Sequence, residues 1–178
     1  VILGVGDVEI LDYADSGFSG AVVPRALVAT TVDDLADVLE PRLARLAPDV
    51  VLTLDGSDGH RDHIHLRDAV TVTVARLASP PRLIHSCLAR SLMEEWAAAM
   101  RAAEPERQHL TLVELGRPDD ELTFVDTSAV LAVRERAIAC HLSQTSPFAA
   151  LSPQLRRRFL TTDAVIAIAV AAVAAAAG

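Results

Sequence analysis

No lysine occurs anywhere in this chain of 178 residues, and all sixteen basic residues are arginine. Alongside abundant Ala, Val, Asp and Pro, that is a bias in residue usage and marks no site. The sixteen face 24 acidic residues, for a net charge of −8, so no positive field exists to gather phosphates. The densest basic run, Arg156-Arg157-Arg158, sits within an amphipathic segment. Nucleic acid is therefore not an expected partner. Aromatic residues make up only 3% of the chain against 51% hydrophobic, so the interior must be aliphatic. That suits a buried sheet with helices on it. The two cysteines, Cys87 and Cys140, are far apart and form no CxxC or other ligand spacing. They read as buried, reduced thiols of a cytoplasmic protein.

Long apolar runs are missing too. The tail "AVIAIAVAAVAAAAG" has fifteen residues, short of the ~20 that span a bilayer. It reads as a terminal strand or helix, and no membrane partner is expected. No Ser/Gly/Pro-rich linker divides the chain, which predicts one domain over residues 1–178. There is no G-x-G-x-x-G opening a helix, which ranks a nucleotide-binding reading last. Val1 is not an initiator Met, and the chain opens directly in "VILGVGDVEILDY". The expectation is a start in mid-domain.

What is present is an alternation of strand-like and helix-like segments. "VEILDY", residues 8–13, predicts a short strand, with "ADSGFSG" as a loop after it. "TTVDDLADVLEPRLARLAP" predicts an amphipathic helix with Thr30 or Thr31 as N-cap and its end at Pro48. Pro41 inside it predicts a kink or break. "DVVLTL", residues 49–54, has the profile of a buried parallel strand. A helix follows from Arg61 or Asp62 to about Ala78. "PRLIHSCLA" then reads as a strand, "RSLMEEWAAAMRAA" as a helix, "LTFVDTS" as a strand and "SAVLAVRERAIACHLSQ" as a long helix. Together these predict an α/β fold, a Rossmann-like three-layer sandwich with a mostly parallel sheet. Ligands in such folds bind beyond the carboxyl ends of the strands.

"LDGSDGHRDHIHLRDAV", residues 54–70, stands at such an end and holds three of the six histidines. Gly56 and Gly59 allow a tight turn. His60 and His63, three apart, would share one side of a helix's first turn. His63 lies three before Leu66 and seven before Val70, on the core-facing stripe, while His65 points roughly the other way. His63 is expected buried and His65 exposed. A divalent metal plus a carboxylate or carbonyl would satisfy both nitrogens of a buried imidazole. Asp62 is a natural carboxylate to hold one ring in its tautomer. The plainer alternative stays open: a helix start whose aspartates serve the dipole and whose histidines cap or solvate.

"PDVVLTLDGSDGHRDHIHLRDAV" resembles the second signature of the LmbE-like, or PIG-L, N-acetylglucosaminyl deacetylases, usually a strand followed by GHPDH. "LGVGDVEILDYADSG" resembles the segment before it, and "FVDTSAVLAVRERAIACHLSQ" the later helix ending in AHxSQ. The resemblance runs from about residue 1 to 160. It implies a hydrolase removing an N-acetyl or related amide group from a glucosamine-type sugar with zinc-activated water. It further implies that His63 is a zinc ligand, that His60 is the catalytic histidine, and that Asp62 orients a histidine. Asp15 would sit on a substrate-side loop, and His141 and Gln144, matching AHxSQ, would face the same cavity. The implied partner is a small amino-sugar substrate, with homo-oligomerisation left open.

Two departures stand out. Arg61 replaces the usual Pro, a surface change expected to be tolerated. The family's first signature, a His-Pro-Asp-Asp-Glu run supplying two zinc ligands and the general base, is absent. The expectation is that it lies upstream of Val1, by roughly 60 to 90 residues at ordinary element lengths. "GRPDDE" at 116–121 is a poor substitute, because Arg117 stands in the place of the liganding His. The competing expectation is a non-catalytic α/β binding or interaction module that keeps the fold without a complete metal site.

Elsewhere, His85 in a strand and His109 in a polar loop read as structural or solvent-facing. Trp96 and Met100 read as a helix face packing on the sheet, and Arg134, Glu135 and Arg136 as a solvated face.

Overall fold

A computed structural model describes residues 2–103, 115–142 and 146–170. His109 and Gln144 lie outside the described residues. The chain divides into two compact units. One comprises Asp12–Cys87 with Val165–Gly178, and the other Val1–Leu11 with Leu88–Ala164.

In the first unit α1 spans Val32–Leu46, β1 Val50–Leu54, α2 Arg61–Arg76 and β2 Arg82–Cys87. The predicted strand over residues 8–13 does not form. That stretch is irregular, and the nearest pairing is a single bridge between Ala14 and Ala26. Val8 and Ile10 are exposed, while Leu11 and Tyr13 are half-buried.

Thr31 caps α1, its hydroxyl accepting from the Asp34 amide at 3.1 Å. The helix runs through Pro41 without the predicted break. A proline removes one backbone donor from that turn, the one that would meet the Asp37 carbonyl, and the Arg42 guanidinium reaches back to the neighbouring Val38 carbonyl at 2.6 Å. Packing holds the rest, since Leu39 and Leu43 lie against the core of Val70, Val74 and Leu83. Arg76 of α2 also pairs with Asp33 and Asp37 of α1, each at 2.7 Å.

β1 and β2 pair in parallel, from Val50 opposite Arg82 to Leu54 opposite Ser86. Leu83, His85 and Cys87 are buried on one face of β2, the alternation a pleated strand imposes. β1 is not the fully buried strand expected. Thr53 is buried, whereas Leu52 and Leu54 on the other face are exposed.

The other unit holds α3 (Arg90–Ala103), β3 (Thr123–Asp126), α4 (Leu131–Ile138) and α5 (Pro153–Thr161). β4, Thr162–Ile168, is the neighbour of β2 on one side and of β3 on the other, and its residues are shared between the units. β4 realises the strand alternative for the first part of the apolar tail, residues 164–168, and residues 171–178 lie outside the described residues. Helices alternating with strands, with β1 and β2 parallel, make the α/β class expected.

Met100, Leu151 and Leu155 form the core here, with Trp96, Phe148 and Phe159 packed around it. Trp96 and Met100 thus serve packing, and the indole donates to the Pro147 carbonyl at 2.9 Å. Two expectations fail. The predicted long helix is shortened to α4, so His141 lies beyond its end and is exposed, as is Cys140. Arg134 and Glu135 are not a free solvated face: they pair with Asp163 at 2.5 Å and Arg156 at 2.7 Å.

The "GRPDDE" run has a structural job. Asp119 accepts from the Ser91 amide at 3.1 Å and hydroxyl at 2.5 Å, capping the start of α3. The hydroxyl bond, then the amide bond, outweigh burial and hold the Asp119 carboxyl below its usual 3.8. A carboxyl lowered by folding stabilises above its unfolded pKa, and that share is lost as pH falls through the folded value. Asp119→Asn is therefore expected to flatten the loss of stability between about pH 5 and pH 3, read by denaturant melts across that range. In the other unit, Leu83, 1% exposed, sits between α2 and the sheet. Leu83→Ala should cost about 2–5 kcal/mol in urea unfolding.

Candidate active site

The histidine stretch forms the turn between the carboxyl end of β1 and the start of α2, all within one unit. Asp55, buried at 4% exposure, follows β1 and hands its carboxylate to the Ser57 amide at 2.8 Å. Gly56 and Gly59 both adopt φ of +77°, and the Gly59 amide closes the turn onto the Gly56 carbonyl at 2.9 Å. At Gly56 a Cβ would stand 2.5 Å from Ile64 Cγ1 and 3.0 Å from the Ile64 backbone. Only glycine permits both the left-handed backbone and that approach. The turn ends with the Asp58 carboxylate accepting from the His60 amide at 3.1 Å.

His60 is the N-cap of α2 and uses its ring to do it: Nδ1 accepts from the Asp62 amide at 3.2 Å. An amide can only donate, so Nδ1 carries the lone pair and a neutral His60 carries its proton on Nε2. Nε2 lies 3.6 Å from Asp15 Oδ1. His63 is set the opposite way. Its Nδ1 lies 2.5 Å from Asp58 Oδ2; a carboxylate can only accept, so Nδ1 is protonated and Nε2 keeps a lone pair. The two rings stand side by side, centroids 4.8 Å apart.

The Asp62 carboxylate was expected to orient a ring, but its backbone amide does that work. The carboxylate itself accepts from the Ser16 amide at 2.9 Å through Oδ2. Burial pushes its pKa up, but the hydrogen bonds from Ser16, then electrostatic attraction to His60 and Arg61, outweigh that and hold it below the usual range. Its other oxygen, Oδ1, is buried with no hydrogen-bond partner.

Asp15, His60 and Asp62 form a group that could hold a metal ion, their donor atoms all within 4.8 Å of one another. Within it His60 would have to surrender the α2 cap to free an Nε2 lone pair, whereas His63 already has one. The orphaned Asp62 Oδ1 and the preset His63 Nε2 are the groups here that suit a cation.

The structure thus brings together Asp15, His60, Asp62 and His63. His141 belongs to the other unit, and Gln144 is outside the described residues. His63 is half-buried, its side chain 34% exposed, rather than buried. His65 is not exposed as expected: it is partly buried, and its Nε2 is shut from solvent without a partner. The start of α2 rests against the 15–20 loop rather than the core, so the heptad-like stripe overstates burial in its first turn. Sequence reasoning missed Asp58, because a pairing five positions before His63 depends on the glycine turn and on no helical spacing. It also missed Ser16 and Phe18, whose ring meets His60 edge-on at 4.5 Å.

Comparison with known proteins adds independent information. The sequence model of the PIG-L family, described as GlcNAc-PI de-N-acetylase, matches residues 1–74. A 1D-myo-inositol 2-acetamido-2-deoxy-alpha-D-glucopyranoside deacetylase of Actinosynnema mirum is 34% identical over 158 residues, 81% of this chain and 55% of that protein. Proteins of the same name in Saccharopolyspora erythraea and Thermobifida fusca are 32% and 31% identical, covering 68% and 81% of this chain and 42% and 58% of theirs. The chain spans about half the length of these relatives.

Gly56→Ala is expected to destabilise the chain by about 1–3 kcal/mol through strain at a positive φ. Since the clash is with the Ile64 backbone, amide spectra should show shifts concentrated at residues 56–64. A melt and spectrum matching the parent would show the turn to be slack.

Proposed function

The chain belongs to the PIG-L family, and from that premise we propose that it carries part of the active site of a zinc-dependent N-deacetylase acting on an N-acetylglucosamine-type sugar conjugate. The opposed tautomers of His60 and His63 support this reading most strongly. Two adjacent imidazoles are prepared for different tasks before any ligand arrives.

Removing an N-acetyl group needs three events. A water oxygen bonds to the carbonyl carbon, the carbonyl oxygen takes up negative charge, and the nitrogen gains a proton as the carbon–nitrogen bond breaks. The products are acetate and the free amine. His63, through Nε2, would hold the metal, with Asp58 fixing its ring as carboxylates fix metal-binding histidines. A divalent cation bound there supplies Lewis acidity, polarising the carbonyl and lowering the pKa of water toward neutrality.

His60 serves the second event. Its Nε2–H can donate to the carbonyl oxygen as charge develops there, and the proton that the departing nitrogen gains is the one the attacking water gives up. Asp15 Oδ1 stands 3.6 Å from His60 Nε2, on the same side of the ring. The Asp62 amide keeps Nδ1 from turning round. Family resemblance assigns the remaining metal ligands to a signature that this sequence does not contain. The relatives' printed activity, on a 2-acetamido-2-deoxy-glucopyranoside of myo-inositol, is the basis for the substrate class.

Zinc content and amine release from N-acetylglucosaminyl-inositol provide the test. Near one zinc per chain is expected once that signature is present. His63→Ala should lose metal and hydrolysis together, while His60→Ala should keep the metal and lose about a hundredfold or more in kcat. A metal-free protein indifferent to His63→Ala would instead identify a non-catalytic binding module.

A further inference from the structure

Arg61 sits between the two active-site histidines, at the first position of α2, where the resembling signature has proline. Its guanidinium points away from its own helix onto the 15–20 loop. Nε donates to the Gly17 carbonyl at 2.7 Å, Nη1 to Gly20 at 3.1 Å and Nη2 to Ser19 at 3.5 Å. Gly17 at φ +65° and Gly20 at φ +91° give the loop the left-handed turns that accompany this convergence. A planar fork of five donors suits three carbonyls, and a single ammonium does not.

The same loop carries groups that face His60. Asp15 Oδ1 stands 3.6 Å from His60 Nε2, and the exposed Phe18 ring meets the imidazole edge-on. Its other ties are the Ser16 amide on Asp62 and the Ser16 hydroxyl accepting from the Val28 amide at 3.2 Å. Those two bonds hold the loop at its base, at Ser16. Arg61 holds its tip, residues 17–20, through the bonds just given, and the Gly17 amide also donates to Asp15 within the loop at 2.7 Å.

We propose that Arg61 is a positioning residue for this site, a clamp that fixes the 15–20 loop so that Asp15 and Phe18 form a wall beside His60 for the sugar of the substrate. The clamp acts through the loop and touches no reacting atom. Its substrate role rests on the deacetylase reading above; its hold on the loop does not. Proline at the first helical position fits the helix yet donates nothing, so Arg61→Pro removes the clamp while leaving α2 intact.

The experiment compares parent, Arg61→Pro, Arg61→Ala and Arg61→Lys by amide hydrogen exchange and by steady-state kinetics on N-acetylglucosaminyl-inositol. With the clamp gone, the Ser16 and Val28 amides should exchange about tenfold faster, the loss expected for a charge-assisted hydrogen bond. Val70 and Val74 amides in α2 should not change. KM should rise about tenfold with kcat and zinc content little altered, and Arg61→Lys should fall in between. Unchanged exchange in both Arg61→Pro and Arg61→Ala overturns the clamp. Faster exchange with unchanged KM overturns the positioning role. If a protein that holds the remaining ligands as well hydrolyses no N-acetylated sugar, the deacetylase reading fails, and the exchange data still decide whether Arg61 holds the loop.

Discussion

One constraint governs this site: the backbone amide of Asp62 must be capped, and the ring of His60 is what caps it. A helix start leaves amides without intrahelical partners, usually met by a Ser, Thr, Asp or Asn side chain. Here an imidazole takes that place through Nδ1. The cap therefore decides where the proton of His60 resides. One turn position later, Asp58 decides the opposite for His63. A local structural need and a chemical one are met by the same two hydrogen bonds.

Those bonds are only as firm as the helix that presents them. α2 is anchored further along by Val70 and Val74, which pack with Leu83 of β2, and by Arg76 bridging to α1. At its start, the Gly56 turn lies close against Ile64, so the backbone leaves the sheet at one angle. The buried end of the helix thus fixes the exposed end. Asp62 then joins helix to loop, since its carboxylate takes the Ser16 amide while its own amide feeds His60.

Much of this was legible in the sequence. Periodicity placed α3 at its observed bounds and α1, α2, β1 and β2 within a few residues, because each has a clear apolar stripe and a cap or turn at its ends. It failed at residues 8–13, where Val8 and Ile10 stay exposed, and at 139–142, where the side chains are exposed beyond the end of α4. The glycine turn and the pairing of His60 with His63 followed from spacing alone. Asp58, Ser16 and the reach of Arg61 did not, since each depends on how a left-handed turn folds one loop onto another. Family resemblance put Asp15 on a substrate-side loop, but its place beside His60 was not legible, as the stretch that separates them carries no local pattern.

The most direct test is the tautomer of each ring, read by long-range nitrogen–proton correlation spectra of the metal-free protein at about pH 8, where an ordinary imidazole is neutral. His60 is predicted to carry its proton on Nε2 and His63 on Nδ1. Finding both rings in the same tautomer, or each freely exchanging between the two, would contradict the division of labour between them.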